Sequence, residues 1–250
     1  MVAGAVLIGS IGFPVLMDLR TLPRRPRRWS LHTKLTLSVT AAILVVSTVV
    51  VLSFEWTNPD TIGGLDTRGK VLASAFNSTM RTAGFSSIDF GDTNETTQLA
   101  TIVSMFIGGG SVSAAGGIKV TTLALLVLAA RAEYRGDDDS SAFGRRIPYG
   151  AIRQSIAIAL TSSITLLGGT MLLLASGPFE LTEAAFEATS AVGIVGLSTG
   201  ITDELNTFGQ LVVIGLMVFG RLGPLTVGTA LILRERERLY RFPEERPFVG

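Results

Sequence analysis

From Leu35 to Phe54 the chain runs without a charged residue, and Glu55-Trp56 closes the run. A bilayer-spanning helix needs roughly 20 mostly apolar residues, so this stretch has the length and the interfacial ending of one. Inside lipid every backbone polar group must be paired, which restricts spanning structures to helices and closed barrels. Ser155–Ala175 repeats the pattern and ends at Gly177-Pro178. Composition agrees: 47% of residues are hydrophobic, 16% are charged, and mean hydropathy is +0.49. Soluble domains carry about a quarter charged residues. The expected class is an all-α membrane protein.

Three further apolar stretches are less regular. Thr97–Ala130 carries "MFIGGGSVSAAGGIKVTT" at 105–122, with five glycines and Lys119 in its middle. Phe208–Leu233 carries Arg221, with Gly223-Pro224 just after it. Residues 1–17 read as one more helix. Orientation follows the basic residues of the short loops. Residues 18–34 hold Arg20, Arg24, Arg25, Arg27, Arg28 and Lys34, and residues 131–153 hold five arginines diluted by Asp137–Asp139. Residues 176–207 hold Glu180, Glu183, Glu187, Asp203 and Glu204 with no basic residue. Segments 18–34, 131–153 and the tail 234–250 are therefore expected in the cytoplasm, and 55–96 and 176–207 outside. There are no cysteines, which excludes disulfides and thiolate sites. The single His32 lies in the basic loop and reads as a solvated or interfacial residue, because metal sites need several ligands.

Each outer connection holds a stretch too short to span, Lys70–Met80 and Leu181–Ser190, followed by glycine. "SAFNSTMRTAGFSS" at 74–87 resembles "AAFEATSAVGIVGLST" at 184–199. Gly84 lies 21 residues before Met105 of "MFIG", and Gly196 lies 21 before Met217 of "MVFG". The repeating unit is helix, short re-entrant helix, glycine loop, helix, and it occurs at about 35–130 and 154–233. A cation filter is built this way: a pore helix aims its negative end inward, and a loop behind it presents backbone carbonyls. Glycine suits the backbone angles of such a loop. The plainer alternative makes Gly84 and Gly196 turn glycines, but the matched pair favours the filter.

"STMRTAGFSSID", "SAVGIVGLSTGIT", "MFIGGGSVSAAGGIKVTT" and "VFGRLGPLT", in this order, resemble the Trk/Ktr family of bacterial potassium-translocating subunits. The resemblance covers nearly the whole chain. That family has four helix–pore–helix repeats of the potassium-channel-like type around one pore. The two complete units here resemble its third and fourth. Residues 1–17 resemble the closing helix of its second, one helix preceding the two complete repeats. The resemblance makes Thr82, Ala83, Gly84 and Phe85 one filter strand and Ile194, Val195, Gly196 and Leu197 another. Ile194 departs from the threonine common there, which affects side chains more than main-chain oxygens.

Three readings compete for the break at 108–117. A phosphate loop needs a different glycine–lysine spacing after a strand. A small-residue packing face explains spaced glycines but not Gly108-Gly109-Gly110 with Gly116-Gly117. Each glycine costs about 1 kcal/mol against alanine in a helix, so five in ten residues should unwind it. The resemblance implies an intramembrane gate comprising Gly108, Gly109, Gly110, Ser111, Ser113, Gly116 and Gly117; Lys119 reads either as its inner edge or as a side chain that snorkels towards the cytoplasm. It makes Arg221 an electrostatic barrier and partner of that loop. The alternative for Arg221 is a side chain that snorkels from the inner end.

The expected function is potassium uptake across a bacterial inner membrane, with potassium as substrate and no bound cofactor. The resemblance further implies lipid contact, a homodimer and a cytoplasmic nucleotide-binding regulatory ring docking on the inner surface. Two complete units supply two of four filter strands, so either the chain lacks upstream repeats, the expectation favoured here, or two chains combine. A non-transporting fragment or assembly partner and an ion-coupled secondary carrier remain as alternatives. No residue pattern resembles a catalytic site or a nucleic-acid surface, so an enzyme is not expected.

Overall fold

The structure, a computed structural model, describes the backbone of residues 1–233 and the side chains of residues 1–222; the expected tail at 234–250 lies outside the described residues. The described chain is helical apart from one small hairpin. Helix α3 (Leu31–Phe54) and helix α7 (Tyr149–Leu174) are each long and apolar enough to cross a membrane. Their outward faces expose Val45, Val46 and Val49 on α3 and Ile164, Leu167 and Met171 on α7. Such continuous apolar surface suits lipid rather than water.

The N-terminal stretch departs from the single helix expected over 1–17. It divides into α1 (Val2–Ile11) and α2 (Phe13–Thr21), which meet at an angle of 99°. Gly12 sits between them at φ +96°, a conformation that glycine adopts without a Cβ penalty, and Pro14 is placed in the first turn of α2, where its missing N–H is harmless. Within α2, the Asp18 carboxylate accepts hydrogen bonds from Ser30 N–H, Ser30 Oγ and Thr33 Oγ1 at 3.0, 2.6 and 2.6 Å, fixing α2 to the start of α3.

The first complete unit continues with α4 (Thr67–Met80), capped by Asp66 accepting from Gly69 N–H at 3.0 Å. Then come α5 (Glu95–Phe106) and α6 (Val120–Arg135), separated by the glycine-rich segment. A two-stranded antiparallel hairpin follows, β1 (Ser141–Ala142) with β2 (Arg145–Arg146), turned by Phe143 and Gly144 at φ +51° and +72°. Lys34 Nζ lies 5.8 Å from the Phe143 ring, so both basic connections occupy one end of the helices.

The second unit comprises α7, α8 (Leu181–Gly193) and α9 (Thr207–Leu233). Helix α8 starts with a reciprocal capping box between Glu180 and Glu183. It is the most enclosed element and packs against α5, α7 and α9. One cluster joins Leu173, Ala184, Ala188, Val192, Val213 and Leu216; a second joins Phe90, Met105, Phe186, Val195 and Leu197 across the two units. In the second, the Phe90 and Phe186 rings are tilted by 42° at 5.4 Å between centroids. Small residues permit the closest approaches. A Cβ on Gly220 of α9 would fall 2.0 Å from the Val192 carbonyl of α8.

Candidate functional site

The two short helices α4 and α8 each end in a tight glycine-bearing strand, and these strands meet. After α4, the N–H groups of Ala83 and Gly84 both donate to the Met80 carbonyl, and Gly84 adopts φ +70°. After α8, Val195 N–H donates to the Ser190 carbonyl and Gly196 N–H to Ser190 Oγ, with Gly196 at φ +92°. Between them Ile194 takes φ +52°, an uncommon conformation for a β-branched residue that costs about 1–2 kcal/mol. A Cβ on Gly84 would lie 2.4 Å from the Val195 carbonyl oxygen and 3.1 Å from the Gly196 Cα. The segments Thr82–Phe85 and Ile194–Leu197 are thus neighbours in space at Gly84, Val195 and Gly196. A polar depression of about 540 Å³ opens over them, lined by Asp60, Gly84, Asp89, Gly196 and Ser198.

Each strand is held from behind by a residue that the sequence reading passed over. Asn77 Oδ1 accepts from Ser86 Oγ and Ser87 N–H at 3.1 and 3.0 Å. The buried Glu187 accepts from Ser198 Oγ and Thr202 Oγ1 at 2.8 and 2.6 Å. Asn77 and Glu187 each follow the Ala-Phe pair of their repeat, seven and nine residues before the matched glycines, so they correspond to within a two-residue offset. That coincidence was the available signal. Glu187 instead reads from sequence as one more outer-loop acid.

Residues 107–119 leave the helix as expected, and their backbone is satisfied by other elements. The neck is a backbone pairing of Ile107 with Ile118, where Gly108 N–H donates to the Ile118 carbonyl at 2.8 Å. The tip lies in the bend between α1 and α2: Gly110 N–H donates to Ser10 O at 2.7 Å, Ala114 N–H to Gly9 O, and Phe13 N–H to Val112 O. On the far side, Gly116 and Gly117 donate to the carbonyls of Gly193 and Val192 at 3.1 and 3.3 Å, covering the C-terminal end of α8. Glycine is required by space here. A Cβ would fall 1.9 Å from the Gly116 carbonyl at Gly108, 2.0 Å from that of Ile11 at Gly110, and 2.6 Å from that of Gly193 at Gly116.

Side chains complete the enclosure. Arg221 Nη1 donates to Ala114 O at 2.6 Å, and Lys119 Nζ donates to Ala115 O at 2.5 Å, so both cations take loop carbonyls. Ser111 Oγ lies 3.1 Å from Thr121 Oγ1, whereas Ser113 Oγ is buried with no hydrogen-bond partner among the described residues. Arg81, to which the sequence alone gives no role, is 3% exposed. Its Nη1 donates to the carbonyls of Ser104 (2.8 Å), Ile107 and Gly108 (3.5 Å).

Just past the C-terminal end of α3, Glu55 is fully buried among donors. Asn94 N–H and Thr97 Oγ1 reach Oε1 at 3.0 and 2.5 Å, and Asn58 Nδ2 and Thr61 Oγ1 reach Oε2 at 2.7 and 2.9 Å. Burial pushes this carboxyl up, but the four hydrogen bonds together outweigh it and hold it below the ordinary glutamate range. The chain between α3 and α5 is pinned by this one side chain. Among the described residues, no group of histidines and carboxylates is arranged to hold a metal ion.

The geometry can be set beside known proteins. Residues 1–240 match the family model TrkH, described as a cation transport protein. The chain is 38% identical over 245 residues to the Ktr system potassium uptake protein B of Bacillus subtilis, covering 98% of this chain and 55% of that protein. It is 35% identical to the protein of the same description from Vibrio alginolyticus, with 99% and 55% covered. It is 33% identical to the potassium/sodium uptake protein NtpJ of Enterococcus hirae, with 100% and 56% covered. Its fold is similar to the crystal structure of the potassium transporter TrkH from Vibrio parahaemolyticus, with a TM-score of 0.68 at 18% identity over 93% of this chain and 50% of that one. The chain spans about half the length of the curated relatives it matches. A match over residues 1–240 and relatives this similar along the whole chain place it: the chain belongs to the TrkH family of cation transport proteins.

Proposed function

We propose that this chain supplies two of the filter strands of a potassium-conducting pore and the loop that gates it. The reading rests on one observation above the rest. Gly84 and Gly196, at positive φ behind two short helices, lie against each other, and residues 107–119 fill the space at the end of α8. Main-chain oxygens of Thr82–Phe85 and Ile194–Leu197 replace the hydration shell of a dehydrated potassium ion, and the acidic depression outside gathers cations. Closure comes from Gly108–Gly117, with Arg221 and Lys119 adding positive charge that opposes a cation. Both short helices act as re-entrant segments, shielded from lipid by α3, α7 and α9. The relatives' names refer to potassium uptake, and in two cases to a Ktr system, which supports uptake as the direction of transport. The hairpin at 141–146 and the surrounding 131–153 connection are the proposed docking surface for a cytoplasmic regulatory ring, on a homodimer in the inner membrane.

The test is growth of a potassium-uptake-deficient bacterium at limiting potassium, with rubidium uptake measured in parallel. The chain is expressed alone and joined to the unmatched half of the Bacillus subtilis relative. Rescue by either form, abolished by replacing Gly84 or Gly196 with valine, supports the pore. Rescue that survives both replacements refutes the filter assignment. Rescue by the joined form alone makes this chain part of a pore that it cannot close by itself.

A further inference from the structure

We infer that Arg81 is a positioning residue that ties the first glycine strand to the neck of the 107–119 loop, so that the two move as one body. The inference rests on the proposed pore reading, which gives the loop its gating role. Arg81 directly precedes Thr82, and its guanidinium lies 3% exposed, with no salt bridge to a carboxylate among the described residues. Its charge is met by carbonyls. Ser104 and Ile107 belong to the end of α5, where the last turn leaves its carbonyls without helical partners, and Gly108 is the first residue of the loop. A cation at a helix C-terminus is also favoured by the helix dipole. Arg81 and the hydroxyls of Ser47, Ser78 and Ser104 border a cavity of about 20 Å³, room for one water to serve the remaining donors.

The consequence is a division of the loop. The neck at Ile107, Gly108 and Ile118 is anchored to α4 through Arg81, whereas residues 109–117 are held by α1, α2, α8 and Arg221. Movement of the tip therefore pivots on a neck whose position reports the strand at Thr82–Phe85. Glutamine at position 81 removes the cost of burying a charge together with the bonds that offset it, so the two changes in stability oppose one another. The position of the neck is what changes. A role confined to packing would show the reverse pattern.

The native chain has no cysteine, so single thiols can be placed without background. Ser113→Cys puts a thiol where Ser113 Oγ is buried, and Tyr134→Cys puts one on a residue exposed at the inner end of α6. Each is combined with Arg81, Arg81→Gln or Arg81→Lys in membranes, and modification by a charged methanethiosulfonate is timed. Arg81→Gln is expected to speed modification at position 113 about tenfold, the effect of losing one charge-assisted bond, with position 134 unchanged. Arg81→Lys, which keeps the charge but not the fork, is expected to lie between. Equal rates at 113 in all three backgrounds overturn the inference, as does a parallel rise at 134. If Arg81→Gln fails to accumulate, the lysine variant alone decides, an unchanged rate again overturning it. Labelling requires no transport, so absence of rubidium uptake by the Arg81 form joined to the unmatched half of the Bacillus subtilis relative counts against the pore reading and leaves this test intact.

Discussion

Gly110→Ala should loosen the 107–119 loop in a way the structure allows to be sized. A Cβ at this position falls 2.0 Å from the Ile11 carbonyl oxygen, 2.8 Å from its carbon and 3.1 Å from Thr36 Cγ2. Ordinary carbon–oxygen contacts begin at about 3.3 Å, so loop and bend must separate by about 1.3 Å. The Gly110 N–H bond to Ser10 O, now 2.7 Å, would then reach about 4.0 Å and be lost. Its net value of about 1 kcal/mol corresponds to about a fivefold increase in the open population. Ala114 N–H to Gly9 O and Phe13 N–H to Val112 O are already long, at 3.4 and 3.3 Å, and if both follow the increase exceeds about 100-fold. Two assays read this: thiol modification of Ser113→Cys, and rubidium leak into cells expressing the Gly110→Ala protein. Gly150→Ala is the control, since nothing lies within 4 Å of a Cβ there. Unchanged labelling at 113 would show that the loop is not held by the bend. Increased labelling without increased leak would show that it is not the barrier.

Three further outcomes are expected. Gly84→Ala should impair rubidium-over-sodium discrimination more than Gly196→Ala, since both sit at positive φ but only Gly84 has backbone within 3.1 Å of the new Cβ; equal losses measured by competitive uptake would contradict this. Glu187→Ala should free Ser198 and Thr202 and cost about 1.5–3 kcal/mol in thermal stability, as for hydrogen bonds to a charged group, whereas Glu187→Gln, retaining one acceptor, should cost less. For Glu55, whose folded carboxyl lies below the ordinary range, stability is complete above the glutamate range and declines as pH falls through the lowered value. Glu55→Gln should flatten that acid limb, measured as melting temperature against pH, and a profile as steep as that of the unchanged protein would refute it.

The spans and the loop break were legible because their signals are local. Leu35–Phe54 declares itself by length alone, and five glycines within 108–117 exceed what any helix absorbs. The bend at Gly12 was not legible. One glycine costs about 1 kcal/mol in a helix, too little to predict a break, and the bend is held by partners a hundred residues away at Gly110 and Val112. The burial of Arg81 depends in the same way on where α5 ends, which its neighbours in sequence do not disclose. Asn77 and Glu187 are unlike side chains and lie seven and nine residues before their glycines, so only the preceding Ala-Phe pair signalled a shared role. The hairpin turn at Phe143-Gly144 escaped notice because phenylalanine rarely takes positive φ.

The division of one apolar segment into α5 and α6 also bears on how the chain enters the membrane. At 12 and 16 residues the two helices measure about 18 and 24 Å, so neither reaches across about 30 Å of hydrocarbon. Between them lie five glycines and a lysine, whose backbone finds its partners on α1, α2 and α8. Helix α8 is synthesised after both. During synthesis, then, α3 can settle in the bilayer unaided, but the loop must wait with unsatisfied amides until the second unit arrives. Folding is thereby ordered in time, and a chain halted before Leu181 should leave residues 107–119 accessible to added protease.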